Sequence, residues 1–131
     1  MTQRNSYSYL RRQYKQQIKT GNLYCVLSGL PILQKQDLSL EHYYPKVLDV
    51  DGNTYDVKNI FPAIKIINNI KSNKKPCEWE NEKFDILYHA VYHYRLNDHD
   101  YNIVVAAINN IDNYRINPCL FCINNIKCKQ K

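Results

Sequence analysis

The stretch between Val47 and Lys71 constrains this chain most, because its side-chain pattern changes period within a few residues. Asp49, Asp51, Gly52 and Asn53 make a turn signal, with β-formers Val47 and Val50 before it and Thr54, Tyr55 and Val57 after it. A helical pattern follows. Ala63, Ile64, Ile66, Ile67 and Ile70 share one arc, and Lys65, Asn68, Asn69 and Ser72 share the opposite one. Pro62 suits a first helical turn, where a missing N–H costs nothing, so the helix is expected to begin near it. The segment therefore predicts a short hairpin followed by a helix, with Asn68 turned back toward the hairpin.

Chemistry-bearing residues sit at intervals along this frame. Glu41 and His42 are adjacent, Pro45 follows them, Gly52 lies in the turn, Asn59 precedes Ile-Phe-Pro, and Asn68 is followed by Lys71. In this order they resemble the HNH nucleases, the ββα-metal or His-Me-finger family. The resemblance covers roughly a quarter of the chain, and several spaced positions carry more weight than a lone His beside a carboxylate.

The resemblance implies an α+β fold: a ββα-metal core of short hairpin plus helix, with an N-terminal helix and C-terminal helices around it. The whole of 1–131 is expected to form a single HNH nuclease domain, with a basic helix over 1–22, the core over 23–75 and a helical part over 76–131. It implies a metal-dependent endonuclease that hydrolyses DNA phosphodiester bonds and leaves 5′-phosphate and 3′-hydroxyl ends. In that reading His42 is the general base and Asn59 orients its ring. Glu41 and Asn68 hold one divalent cation, Mg²⁺ or in its place Mn²⁺, and Lys71 and Lys74 contact phosphate or support the helix. The alternative is a non-catalytic nucleic-acid-binding protein or assembly subunit that retains the fold.

The chemistry suits these residue types. A neutral imidazole takes a proton from water near pH 7, and hard cations take oxygen ligands, often only one or two from protein. Neighbouring strand residues leave on opposite faces, so Glu41 and His42 share a site only if the strand ends or bulges at Tyr43-Tyr44-Pro45. The expectation is that Glu41, His42 and Asn68 converge on one solvent-accessible point.

Many HNH proteins also clamp a structural zinc with two Cys-x-x-Cys pairs. Here the first pair's place holds Cys25-Val-Leu-Ser28 and the second holds Ile64 and Ile67. Zinc needs four ligands in a closed site, so no zinc is expected at this knuckle, and packing of the Ile residues against Cys25 is expected instead. Cys119, Cys122 and Cys128, with Cys77, form a second candidate zinc set. Asp85, His89 and His93 recur at helical spacing, either as a metal stripe or as the solvated side of a helix.

The net charge of +6 is unevenly spread. Arg4, Arg11, Arg12, Lys15 and Lys19 occupy a segment with no acid, as do Lys58, Lys65, Lys71, Lys74 and Lys75, while Glu78, Glu80, Glu82, Asp85, Asp98 and Asp100 cluster later. Basic segments thus bracket the candidate site, as expected of a surface that meets a phosphate backbone. Arg11, Arg12, Lys65, Lys71, Lys74 and Lys75 are the candidate contacts, with DNA the expected partner, RNA the alternative and a dimer one route to cutting both strands. No apolar run reaches transmembrane length, and the longest is Ile103 to Ile108. Five cysteines without a secretory leader predict reduced thiols in the cytoplasm.

Helices are further expected over 4–20 with Gly21 as its stop, over Glu78 to Tyr94, and from an Asp100 cap through Ile111 to a break near Asn117-Pro118. Leu23 to Ile32 reads as a short strand and turn.

Overall fold

A computed structural model describes residues 3–43 and 59–115. The first helix, α1, spans Gln3–Lys19. Its end is specified by Gly21, which takes φ +73. The Gly21 N–H donates to the Ile18 carbonyl and the Asn22 N–H to that of Gln17, both at 3.1 Å. This pair of bonds satisfies carbonyls that a helix end otherwise leaves open, and it needs a left-handed residue where glycine stands.

The apolar run that follows forms a narrow turn with one bridge, Tyr24 to Pro31, and not the expected strand. The Cys25 N–H donates to the Leu30 carbonyl at 2.8 Å and the Gly29 N–H to that of Cys25 at 2.9 Å, which closes the loop on itself. Leu23, Cys25, Leu27 and Ile32 point into the core.

After a 3-10 turn at Lys35–Asp37, β1 (Leu38–His42) pairs antiparallel with β2 (Ile60–Ile64). The register runs without interruption from Leu38 opposite Ile64 to His42 opposite Ile60. Pro62 therefore belongs to β2, and the helix after it, α2 (Lys65–Lys71), begins three residues later than expected. The reason lies in the ladder. Pro62 pairs with Leu40 at a position whose N–H would face away from β1, so the ring removes no ladder bond. Its carbonyl accepts from the Val26 N–H at 2.9 Å, on the same outer edge where the Ile64 N–H donates to Cys25 Sγ at 3.3 Å. The Tyr14 hydroxyl donates to the Ile60 carbonyl there at 3.4 Å.

The long helix α3 spans Pro76–His93, with Pro76 in its first turn and the Glu78 carboxylate accepting from the Lys75 N–H at 2.9 Å. Helix α4 spans Asp98–Asn109. Its cap is Asn97, whose side chain accepts from the Asp100 N–H at 2.7 Å, so Asp100 sits inside the first turn and is not the cap. The helix stops before Ile111, which opens a separate 3-10 turn, Ile111–Asn113. The break expected at Asn117-Pro118 lies outside the described residues.

Among the described residues the architecture is α+β: four helices and a two-stranded antiparallel ladder. Leu27, Ile67, Trp79, Leu87 and Val104 form the centre of the core, and each is almost wholly enclosed. The Trp79 indole N–H donates to the Leu27 carbonyl at 2.9 Å, so the largest core side chain is also satisfied as a donor. No helix among the described residues is long and apolar enough to cross a membrane.

Candidate functional site

Side chains alternate across β1, so Ser39 and Glu41 share one face, and that face meets α2. Glu41 is 5% exposed. The Lys71 Nζ lies 3.0 Å from Glu41 Oε2, and Lys71 itself is fully enclosed. With its amide nitrogen toward the carboxylate, Asn68 donates to Glu41 Oε1 at 3.0 Å and Oε2 at 3.1 Å, while its oxygen accepts from the Ser39 hydroxyl at 3.1 Å. The reverse amide orientation would aim an oxygen at an ionised carboxylate. Burial is the largest influence on Glu41. It outweighs the neighbouring ammonium and the His42 N–H, and holds the carboxyl's pKa up at about 7.

Glu41 and Asn68 together offer a carboxylate and an amide carbonyl, the oxygen donors that a hard divalent cation takes, with water completing its shell. The donor set fits such an ion in kind. Binding of such an ion would require two rearrangements: the Asn68 amide would turn its oxygen inward, and the Lys71 ammonium would leave the carboxylate. Among the described residues, no group of three or more His, Cys, Asp or Glu side chains is placed to hold a metal.

His42 leaves β1 on the other face. Its ring lies 5.9 Å from that of Tyr7 on α1, centroid to centroid. The ladder does not bulge between the two residues, and it runs on past His42, where the Tyr43 N–H donates to the Asn59 carbonyl at 2.9 Å. The expected convergence of Glu41, His42 and Asn68 on one solvent-accessible point is therefore corrected. Glu41 and Asn68 meet, but in an enclosed cluster, with His42 on the opposite face. Asn59 is 4% exposed and begins the β2 side of this ladder. Pro45 and Gly52 lie outside the described residues.

No family model, curated protein or solved structure matches this chain.

The remaining candidate positions divide by burial. Arg11, Arg12 and Lys65 are exposed, and Lys74 and Lys75 are half-buried near the start of α3. Lys71, expected as a phosphate contact or a helix support, is fully enclosed and ties the end of α2 to β1 through the Glu41 carboxylate. Cys25, Ile64 and Ile67 are all enclosed in one core, as the knuckle replacement requires, and burial pushes the Cys25 thiol's pKa up. Cys77 is half-buried in the first turn of α3, whereas Cys119, Cys122 and Cys128 lie outside the described residues. Asp85, His89 and His93 are exposed on α3, where the two imidazoles stack at 4.3 Å and line an open concavity with Tyr88 and Tyr92.

Sequence reasoning missed two contributors. Ser39, which buttresses Asn68, was marked by strand period alone, two residues before Glu41. His99, whose Nε2 lies 2.9 Å from Asp37 Oδ1, joins α4 to the 3-10 turn before β1, and no local pattern announces that pairing.

Proposed function

We propose that this protein is a cytoplasmic, cation-dependent endonuclease of the HNH type acting on DNA. The observation that carries the reading is the meeting of Glu41 and Asn68, on β1 and α2, within 3.1 Å of each other and with Lys71 beside them. Two positions of the resembled motif on α2 and a third on β1, well before them in sequence, thus form one cluster. Glu41 and Asn68 hold Mg²⁺ or Mn²⁺, which relieves negative charge on the phosphate and the leaving oxygen. Because His42 leaves β1 on the opposite face, its ring must swing round the strand end to take the proton of the attacking water at that ion, and Asn59 holds the strand end from which it projects. Arg11, Arg12, Lys65, Lys74 and Lys75 grip the backbone. One such site per chain nicks one strand, and a pair of chains cuts both.

A second reading, a nucleic-acid-binding module without chemistry, is favoured by the burial of the Glu41–Lys71 pair and by the placement of His42 on the other face of β1. One experiment separates the two: supercoiled plasmid and single-stranded RNA are incubated with the protein and Mg²⁺ or Mn²⁺, beside His42→Ala. The nuclease reading expects metal-dependent nicking of the plasmid, reduced roughly 10²–10⁴-fold by the substitution, with binding retained. Binding without cutting under either cation hands the protein to the second reading. Cutting confined to RNA would change the substrate.

A further inference from the structure

A lysine with no exposed surface is rare, because stripping water from an ammonium costs several kcal/mol unless a carboxylate and good geometry offset it. Lys71 is such a lysine, and Glu41 is its ion-pair partner. The carboxylate that the proposed function assigns to a divalent cation is thus already neutralised by the protein's own cation. The two positive charges cannot share it. An ion on Glu41 would set a divalent charge beside an ammonium that now lies 3.0 Å from the same carboxylate, and their repulsion weakens the hold of Lys71.

We propose that Lys71 is an exchangeable internal counter-cation: it occupies Glu41 in the metal-free protein and is displaced when a divalent cation takes the carboxylate, which frees its ammonium for the phosphate of a bound nucleic acid. The inference rests on the nuclease reading and adds to it a device that couples cation binding to nucleic-acid binding. The location suits an exchange. Lys71 is the last residue of α2, a helix of seven residues. The residue after it, Ser72, takes φ 55 and ψ −131, a backbone conformation that L-residues rarely adopt. Beyond it Lys74 and Lys75 are half-buried, close enough in sequence for the freed ammonium to join them on one phosphate. Four flexible methylenes let the ammonium move without unfolding the core. Asn68 takes part too, since its amide nitrogen now donates to both Glu41 oxygens and must turn for its own oxygen to serve as a ligand. Because the effects are linked, nucleic acid that captures Lys71 raises the affinity for the cation, and the cation raises the affinity for nucleic acid by the same factor.

The test is Mn²⁺ binding to the full chain without nucleic acid, followed by calorimetry and by the electron spin resonance of free Mn²⁺. Lys71→Gln keeps a hydrogen-bond donor beside Glu41 but removes the charge. It is expected to bind Mn²⁺ about tenfold more tightly than wild type, the gain produced when a paired state that dominated ten to one is removed. Lys71→Arg should bind as weakly as wild type, and Glu41→Gln should abolish the tight binding in the Lys71→Gln background. Equal affinities of wild type and Lys71→Gln, both lost with Glu41→Gln, would overturn the exchange while leaving the cation site standing. No Glu41-dependent binding in any variant would overturn both. If far-UV circular dichroism shows Lys71→Gln unfolded, the wild type decides through the ¹⁵N resonance of its Lys71 ammonium. That signal should shift as Mg²⁺ is added, and a signal unmoved while Mg²⁺ shifts the Glu41 carboxyl carbon would overturn the exchange.

Discussion

The ring of Tyr114 occupies the space that a Cβ on Gly29 would need. The phenol donates to the Val26 carbonyl at 2.8 Å, and the Tyr114 carbonyl accepts from the Lys83 ammonium at 2.8 Å. One residue thus ties the turn at 25–30 to α3. Gly29 also takes φ +73, so a side chain there meets backbone strain as well as the ring. Gly29→Ala should destabilise the protein by about 2 kcal/mol or more, and Tyr114→Phe by about 1 kcal/mol through the lost hydrogen bond. Urea denaturation of the single and double variants checks this, with Tyr114→Ala expected to recover part of the Gly29→Ala loss.

Lys71→Met should cost roughly 3–5 kcal/mol, because Glu41 must then stay enclosed as an unpaired carboxylate or take up a proton. Adding Glu41→Leu should restore most of that loss, since an apolar pair of similar volume removes both desolvation costs. If the double variant is as unstable as the single one, packing around Lys71 would outweigh its charge.

The raised pKa of Glu41 makes stability depend on pH in a defined sense. Its pKa of about 7 lies above the ordinary 4.5, so the folded protein holds a proton that the unfolded chain releases. Stability from this group is complete below pH 4.5, falls as pH rises and levels off above pH 7, a change on the order of 3 kcal/mol. Denaturation midpoints across that window should decline in wild type, and Glu41→Gln should remove this part of the slope.

Ser72 is the one non-glycine residue with positive φ among the described residues. Relief of strain there should exceed the entropy cost of a glycine, so Ser72→Gly is expected to stabilise the fold by up to about 1 kcal/mol. A decrease measured in the denaturation curve would mean that the Ser72 side chain contributes more than its backbone costs.

Much of this fold was legible because its signals are local. The stop at Gly21 and the helix now seen as Pro76–His93 follow from one glycine and from apolar spacing. The misplaced features have distant causes. Pro62 looked like a helix start until its pairing with Leu40 gave it a strand position that needs no donor. Lys71 belongs with the polar residues of α2 by composition, and only Glu41, thirty residues earlier, draws it inside. The meeting of Asn68 with β1 was legible from the ordered motif. The separation of His42 from that cluster was not, because it depends on whether the ladder bulges, and the ladder stays regular.

That regular ladder leaves the sheet with two very different sides. Along the outer edge of β2, the Ile60 and Pro62 carbonyls and the Ile64 N–H are already bonded to Tyr14, Val26 and Cys25, and Pro62 has no donor to offer. An incoming strand finds no template there. Polymerisation by strand addition needs two recruiting edges per molecule, because each added unit must present a fresh one. With β2 closed in this way, recruitment through the two described strands runs through β1 alone, so strand pairing by this ladder ends at an edge-to-edge dimer.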